Sequence, residues 1–501
     1  MKNEPNFKKI IHSKHTPVII VIIISFGVYY NALFNGFVYD DKLLILENPW
    51  ITNIRYIPDI LFSPVLSFSP KFVHHPQNYY RPMTHLIYMF DYHIFGLKPW
   101  GFHLTNIVFH VMNSLLVFLI TSSLVKCNTA KLTAFIAALL FATHPIHTEA
   151  VTMVSNTPGV SFTFFYLLSF YLFIKSDAPS NRLHLLSLLS FFLAIFCKET
   201  ALTLPLLLLI YDYSIRKNEI FTWSRVKIYL PYLLIVGFYV GLRVYALGGI
   251  APREGVHGLT PFQNFINVFP LFSHYLYKLV LPLNLHVFYS FLPANSIFES
   301  KVITSIGVAL AFCYLTYIAG KTKSKSFIGL LLIFIPLLPV LYIPGLSESV
   351  FNERFLYLPS VGFVILLSLG VIRIIKFSNR KHTIATLTII TVLILTSYSL
   401  ATIKRNQDWF SGYTLWTDTI KKAPNSAVAH NNLGNIYLES GLTDKAIKEY
   451  MEALRIKPAY EEATYNLATL YHQRGMLDEA IPLYERAIKL DPLYFSAHSN
   501  L

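Results

Sequence analysis

Long hydrophobic runs separated by short polar segments dominate the chain from residue 16 to residue 404. A helix needs about 20 mostly apolar residues to cross the roughly 30 Å hydrocarbon core of a bilayer. Eleven runs approach this length, several of them only with their flanks: 16–34, 104–125, 132–148, 158–174, 183–197, 200–213, 228–247, 303–319, 327–343, 355–375 and 384–404. The pattern predicts an all-α fold, a polytopic membrane helix bundle of about eleven spans.

Charge divides one of these hydrophobic stretches. Residues 183–213 carry Lys198-Glu199 near their middle. A charged side chain at the centre of a membrane helix costs about 2.5 to 3.5 kcal/mol. We therefore interpret the stretch as two tilted spans with this pair at the turn between them.

Lysine and arginine are distributed unevenly among the connections between spans. With a cytoplasmic N-terminus over 1–15, the short connections on the opposite side hold only Lys198 and Arg354. Basic residues concentrate in the cytoplasmic loops of membrane proteins, here 1–15, 126–131, 175–182, 214–227, 320–326 and 372–382. This bias accounts for the formal net charge of +14. We therefore expect membrane lipids, and no nucleic acid, as partners.

Two long connections fall on the non-cytoplasmic side in this orientation. They cover residues 35–103 and 248–302, and within the second the stretch 262–288 is amphipathic. An amphipathic helix is typical of a membrane surface rather than of a span. We predict that this stretch lies along the outer interface of a transmembrane domain covering 16–404.

Composition agrees with a lipid-embedded protein and limits its chemistry. The chain is 54% hydrophobic and 14% charged, which is more apolar material than a water-soluble core could bury. Its three cysteines are scattered and form neither a disulfide framework nor a metal-binding spacing. No dinucleotide-binding or ATP-binding motif is evident in the sequence.

Beyond residue 403 the sequence becomes polar and a 34-residue repeat begins. The recurring positions are Leu433, Gly434, Tyr437, Gly441, Ala446, Tyr450, Ala453 and Pro458, which return as Leu467, Ala468, Tyr471, Gly475, Ala480, Tyr484, Ala487 and Pro492. Small residues where two helices touch, with aromatics between them, are typical of tetratricopeptide (TPR) repeats. We predict a connecting helix over 405–424 and a TPR domain over 425–501, with units 427–460 and 461–494 and a partial third.

An acidic pair, Asp40-Asp41, follows the first span directly. Two carboxylates at a membrane surface could deprotonate a hydroxyl or hold a metal, since a low-dielectric neighbourhood raises their basicity. The alternative is that Asp40 caps a helix starting near Lys42.

Arginine and histidine supply further candidates on the same side. Arg81 could bind a phosphate through two parallel hydrogen bonds, or form a salt bridge or interfacial anchor. His144, His147 and Glu149 could ligate a divalent metal ion, although interfacial histidines more often hydrogen-bond a loop. A divalent metal is therefore an open cofactor hypothesis.

Two charged dipeptides, Lys198-Glu199 and Glu353-Arg354, lie at the outer edges of spans. Ionisable residues at membrane depth usually mark a functional pathway. The predicted orientation puts all these groups on one side, where they could converge on a single cavity. The competing interpretation is structural pairing within each dipeptide.

These blocks, in this order, resemble the transmembrane and tetratricopeptide-repeat protein O-mannosyltransferases and their bacterial relatives, which have the polytopic GT-C glycosyltransferase fold. The resemblance covers essentially the whole chain. It rests on Tyr39-Asp40-Asp41, Tyr80-Arg81-Pro82, His144-Pro145-Ile146-His147-Thr148-Glu149-Ala150-Val151, Lys198-Glu199, Glu353-Arg354-Phe355-Leu356-Tyr357-Leu358-Pro359-Ser360 and the repeats.

The resemblance implies transfer of a sugar, mannose in the characterised eukaryotic members, from a polyprenyl-phosphate carrier to a protein hydroxyl. By similarity, Asp40 would be the general base and Asp41 would support it. Arg81, Lys198 and Arg354 would hold the carrier phosphate, with Glu199 in the same substrate-binding set. The repeats could present the acceptor protein.

The predicted orientation, taken together with the resemblance, implies a location. The active side and the repeats would face the periplasm from a bacterial inner membrane, or the lumen from a eukaryotic endoplasmic reticulum membrane.

The chain departs from the family pattern at one loop. Many relatives carry a basic residue followed by an acidic one after the position of Val151, whereas this chain has Ser155-Asn156-Thr157-Pro158-Gly159. The departure leaves open a different donor, an inactive member, or a non-enzymatic scaffold whose repeats recruit envelope or secretory proteins.

Overall fold

The computed structural model describes residues 15–70, 77–125, 129–176, 181–216, 222–250, 258–343, 349–378 and 381–501, and these contain helices but no strand. The predicted cytoplasmic segment 1–15 lies outside the described residues except for its last position. The α-helices of the membrane part, in chain order, are α1 Thr16–Gly27, α2 Ile57–Phe62, α3 Pro82–Phe95, α4 Pro99–Leu124, α5 Ala130–Thr143, α6 Thr148–Thr152, α7 Thr157–Lys175, α8 Arg182–Cys197, α9 Leu204–Tyr211, α10 Trp223–Leu247, α11 Pro261–Val280, α12 Ser300–Lys321, α13 Ser326–Phe334, α14 Pro359–Ser378 and α15 Lys381–Asp408.

A second group of α-helices follows the last membrane helix. They are α16 Gly412–Lys422, α17 Ala427–Glu439, α18 Thr443–Ile456, α19 Glu461–Gln473, α20 Leu477–Leu490 and α21 Phe495–Asn500. From α17 onward they form antiparallel pairs, as the TPR pattern predicts. The turns inside the two pairs contain Gly441 and Gly475, whose φ angles of 73° and 75° are in the left-handed region that glycine adopts without strain.

Seven helices of the described part are long and apolar enough to cross a membrane, and a bent pair makes eight. The seven are Thr16–Phe34, Pro99–Leu124, Val154–Lys175, Arg225–Leu247, Ser300–Lys321, Pro359–Ser378 and His382–Asp408. The chain is therefore a multi-pass membrane protein. All eleven predicted runs are helical, but the regions 182–197, 199–216 and 326–341 are short or broken, so the count of eleven spans stays a prediction.

Breaks in the helices bring polar residues to one end of the bundle. The pair 130–143 and 145–152 bends by 50° at Pro145, whose ring has no N–H to continue a helix. Helix α8 stops at Cys197, and Lys198 has an extended backbone before the 3-10 turn Glu199–Thr203 begins. The turn predicted at Lys198-Glu199 is thus present.

The amphipathic segment of the second long loop forms helix α11. Thr260 caps it, since the Thr260 hydroxyl accepts from the Gln263 backbone while the Gln263 side chain accepts from the Thr260 amide. This helix is absent from the candidate spans. The position of α11 along the outer membrane interface stays a prediction.

The repeats lie against the loop that carries the acidic pair. Trp409 and Trp416 are buried in one cluster with Val38, Met153 and Val287 from the membrane part. The Tyr39 and Trp416 rings meet edge to face with centroids 5.1 Å apart. A Lys42–Glu439 ion pair of 2.7 Å adds a contact at the rim. The connecting segment is therefore a packed joint between the two parts.

We expect Trp416→Ala to loosen this joint, because truncating a buried tryptophan costs about 3 to 5 kcal/mol. The exposed Lys42–Glu439 pair contributes much less, at most about 1 kcal/mol. Limited proteolysis of the membrane-embedded protein should release the repeats faster from Trp416→Ala. The matched control is Tyr413→Ala on the same helix, where the side chain is half exposed. Equal release rates from the two variants would contradict the packing role of Trp416.

Candidate functional site

A tight turn after the first span presents Asp40 and anchors Asp41. Tyr39 has a φ of 51°, which is rare for a side chain of this size and marks local strain. The Asp41 carboxylate is fully buried and accepts hydrogen bonds from the backbone amides of Val38 (3.1 Å) and Ser155 (2.6 Å). Asp41 therefore holds the turn, while Asp40 projects beside it.

Asp40 keeps its carboxylate free of hydrogen bonds and ion pairs throughout the part of the chain that the structure describes, and it is partly exposed. The helical turn that follows, Lys42–Leu46, has no side-chain cap. The capping role considered for Asp40 is thus absent. Burial by the surrounding protein raises the pKa of Asp40 to about 6, and the neighbouring Arg354 opposes this shift. A carboxylate with this pKa is suited to accept a proton near neutral pH.

The pKa of Asp41 is also raised, although two backbone amides donate hydrogen bonds to its carboxylate. Burial raises the pKa of Asp41 to about 7, and the amides of Ser155 and Val38 oppose the shift because they favour the ionised form. The Ser155 contact comes from the segment 155–159, in which the sequence is expected to depart from the pattern of the family that it resembles. The backbone amide of Ser155 makes the 2.6 Å contact, and the Ser155 hydroxyl also lowers the pKa of Asp41.

Arg354 pairs with Glu149 and not with its neighbour Glu353. Its guanidinium Nη1 lies 2.9 Å from Glu149 Oε1, and its backbone amide donates to Glu149 Oε2 at 3.1 Å. Glu149 is fully buried at the start of α6, just after the bend at Pro145. The pairing within the dipeptide 353–354 is therefore wrong.

Arg81 and Glu199 form a second bidentate pair. The two guanidinium contacts measure 2.9 and 2.5 Å, and the guanidinium also lies 4.5 Å from the centre of the Tyr79 ring. Glu199 thus pairs with Arg81, which is 118 positions away in the sequence, and not with its neighbour Lys198. The pairing considered within this dipeptide is wrong as well. For Arg81, the salt bridge that was one of the alternatives to phosphate binding is present.

Lys198 is a buried cation between aromatic rings. It is 5% exposed, and its Nζ lies 5.4 Å from the Phe162 ring centre and 5.0 Å from that of Phe355. Within the described residues its ammonium group has no hydrogen bond or ion pair. Burial lowers the pKa of Lys198 to about 7, and the nearby Arg81 lowers it further. Lys198 lies at the turn outside the predicted spans.

These side chains form one cluster at the end of the bundle that carries the repeats. Arg81, Glu199, Arg354 and Glu149 all influence the pKa of Lys198, and Arg354 influences that of Asp40. Glu199 and Glu149 neutralise Arg81 and Arg354, so Lys198 is the cation of this cluster that has no ion-pair partner among the described residues.

The residues proposed for metal binding have other partners. His144 Nε2 donates to the Leu279 carbonyl (3.1 Å), its Nδ1 accepts from the Ile146 amide, and His147 Nε2 lies 2.7 Å from the Ser360 hydroxyl. Glu149 is bound to Arg354. Among the described residues, no group of three or more His, Cys, Asp or Glu is arranged to hold a metal ion. The metal-ligand prediction is therefore not supported, and the histidines hydrogen-bond their surroundings.

Sequence reasoning missed Arg405. Its guanidinium Nη2 lies 2.9 Å from Glu353 Oε2, and both side chains are buried. One signal was available. In the predicted orientation, Lys404-Arg405 ends the last span on the side that is otherwise poor in basic residues, so a partner was to be expected.

The fold and the cluster define a multi-pass α-helical membrane protein that carries a TPR unit over a site of cations and carboxylates. The family described as dolichyl-phosphate-mannose-protein mannosyltransferase matches residues 74–242, and the tetratricopeptide repeat family matches residues 426–492. The predicted TPR repeats are thereby confirmed.

Curated relatives confirm the resemblance. The chain is 27% identical over 483 residues to protein O-mannosyl-transferase TMTC3 of Mus musculus, covering 88% of this chain and 51% of that protein. It is 28% identical over 487 residues to protein O-mannosyl-transferase TMTC4 of Homo sapiens, covering 86% and 64%. The chain spans about half the length of the first of these. The similarity to these protein O-mannosyl-transferases thus extends along most of this chain's own length.

Two solved structures show a weaker likeness. ArnT from Cupriavidus metallidurans bound to undecaprenyl phosphate matches with a TM-score of 0.43 and 12% identity, covering 94% of this chain and 80% of that chain. The Archaeoglobus fulgidus oligosaccharyltransferase in the apo form matches with a TM-score of 0.41 and 12% identity, covering 79% and 56%. Likenesses of this strength do not support a conclusion about the fold, so the GT-C architecture stays a prediction.

Proposed function

We propose that the chain is a membrane glycosyltransferase that moves a sugar, mannose by its resemblance, from a polyprenyl-phosphate-linked donor to a protein hydroxyl. The observation that carries the proposal is that, among the described residues, the Asp40 carboxylate is unpaired and Lys198, in the neighbouring cation cluster, has no counter-ion. An inverting displacement needs a base for the acceptor and positive charge for the departing phosphate.

Asp40 is the proposed general base. The acceptor hydroxyl oxygen bonds to the sugar carbon while the bond from that carbon to the phosphate oxygen breaks. The hydroxyl proton passes to Asp40 and the electron pair leaves with the phosphate. Asp41 is the proposed supporting residue, because its two amide contacts hold the turn on which Asp40 lies.

Lys198, Arg81 and Arg354 are the proposed phosphate-binding groups, with Glu199 and Glu149 orienting the two arginines. A lipid-linked phosphodiester has one negative charge, which matches the one positive charge of Lys198, the cation of this cluster without an ion-pair partner among the described residues. The monoester that departs is more negative, about −1.5 to −2 at pH 7. Donor binding and the developing charge therefore both favour this cluster.

The repeats are the proposed acceptor-presenting unit, since they pack against the loop that carries Asp40. The domain limits proposed from the sequence remain 16–404, 405–424 and 425–501. The alternative is a non-enzymatic scaffold, which the packed TPR unit alone would also support. The two functions differ in whether the chain binds a polyprenyl-phosphate sugar.

The test uses the full chain in lipid nanodiscs, with radiolabelled polyprenyl-phosphate mannose and an acceptor polypeptide. We expect acceptor-bound label that depends on both substrates. Native mass spectrometry on the same sample measures binding of the donor. Absence of both transfer and donor binding would overturn the proposed function and favour the scaffold.

We further propose that the cluster and the repeats face the non-cytoplasmic side, in the bacterial periplasm or in the lumen of the endoplasmic reticulum. Single cysteines at the exposed positions Asn53, Asp478 and Lys323, in a chain without its own cysteines, can be labelled with a membrane-impermeant thiol reagent. Labels on Asn53→Cys and Asp478→Cys from outside, with Lys323→Cys protected, are expected. Labelling of the first two from opposite sides would contradict a shared compartment.

A further inference from the structure

The residue before Arg354, Glu353, forms a buried ion pair with Arg405. Glu353 is fully buried, and its Oε2 accepts from Arg405 at 2.9 Å. Its Oε1 accepts from the Tyr289 hydroxyl at 2.6 Å and from the His286 backbone amide at 2.8 Å. Glu353 thus binds Arg405 of the last membrane helix, α15, whereas the adjacent Arg354 binds Glu149 in the cluster.

The loop held by this pair reaches the repeats. Residues 283–289, which we call the strap, follow α11 without regular structure. The Leu285 carbonyl accepts from Arg405 and also, at 3.0 Å, from Lys422 of α16. Val287 packs in the cluster of Trp409 and Trp416, and Phe288 packs against a repeat cluster that includes Ala427 and Tyr460. The strap therefore contacts the ion pair, the connecting helix and the first repeat.

We propose that Glu353 and Arg405 are positioning residues whose ion pair holds the strap against the repeats and sets Arg354 in the cation cluster. The physical reason is that a buried carboxylate needs several partners at once, so Glu353 fixes three segments relative to one another. The effect on transfer rests on the proposed function, whereas the effect on the strap does not.

The test compares Glu353→Gln with Glu452→Gln in the full chain in nanodiscs. The glutamine at position 353 keeps an oxygen for the His286 amide but loses the charge that Arg405 needs. Glu452 is a matched control because its 2.6 Å pair with Arg455 lies on the surface of the repeats. Tyr289→Phe is a milder second variant that removes one hydrogen bond to Glu353 and leaves the ion pair.

We expect hydrogen exchange of the strap and of α17 to be at least about tenfold faster in Glu353→Gln, less so in Tyr289→Phe, and unchanged in Glu452→Gln. Transfer by Glu353→Gln should show a raised KM for both donor and acceptor. Unchanged exchange in the strap would overturn the proposal, as would faster exchange with normal KM values. If the unsubstituted chain transfers no sugar, the proposed function fails, and the exchange data still decide whether Glu353 holds the strap.

Discussion

Asp40→Asn is expected to lower sugar transfer by about 10² to 10⁴-fold, the usual contribution of a positioned general base. The asparagine has nearly the same shape but cannot accept the hydroxyl proton. Because Asp40 makes no hydrogen bond or ion pair with the described residues, the fold and the donor affinity should remain. The measurement is the transfer rate at saturating donor, together with donor binding by native mass spectrometry.

The control for this substitution is Asp59→Asn in the same long loop, where the side chain is exposed. It changes the net charge equally but lies apart from the cluster. Transfer by Asp40→Asn at the rate of Asp59→Asn would remove Asp40 from the mechanism.

The pH profile gives a second readout for Asp40. The base acts only when ionised, and its pKa is about 6. Transfer should therefore fall as pH drops below about 6 and level off above it. At the alkaline side, Lys198 loses its proton through about pH 7 in the empty site, so donor affinity should weaken as pH rises further. Asp40→Asn should lack the acidic limb and keep the alkaline loss of donor affinity.

The second large effect is expected for Lys198→Met, which should lower transfer activity without lowering thermal stability. Removing the uncompensated cation is expected to lower donor affinity and transfer by about 10² to 10³-fold, as for other groups that stabilise charge at a reacting centre. The thermal midpoint should stay equal or rise, because an unpaired buried charge is replaced by an apolar side chain between Phe162 and Phe355.

The control for Lys198→Met is Lys131→Met, since Lys131 is exposed at the start of α5, far along the helix from the bend that carries the cluster. The donor affinity and the transfer rate should be unchanged in this control. If Lys198→Met also kept normal donor dependence, Lys198 would have no role in phosphate binding. A large loss of thermal stability would instead indicate that the ammonium group supports the fold.

Most elements of the fold were predictable because their signals are local. Hydrophobic runs located the membrane helices, and the 34-residue repeat located the antiparallel pairs of the TPR unit. Even the turn at Lys198 followed from the cost of placing charge in lipid. The number of spans stays a prediction, since α9 and α13 are short and continue as irregular turns.

The candidate site was only half predictable. Asp40, Lys198 and Arg354 were identified from charge at the ends of spans and Arg81 from the first long outside loop, but their partners were not. Arg81 pairs across 118 positions and Arg354 across 205. Such pairings depend on which helix ends meet, and no local pattern encodes that.

By itself, therefore, the sequence determined that this is a membrane bundle followed by TPR repeats, with ionisable groups placed at one end. Tertiary structure alone decided that, among the described residues, Asp40 and Lys198 have no ion-pair partner, and that His144 and His147 hydrogen-bond the Leu279 carbonyl and the Ser360 hydroxyl. The physical reason is that hydrophobicity and repeats act within one helix, whereas a carboxylate is neutralised by whichever cation the packing of distant helices brings within about 3 Å.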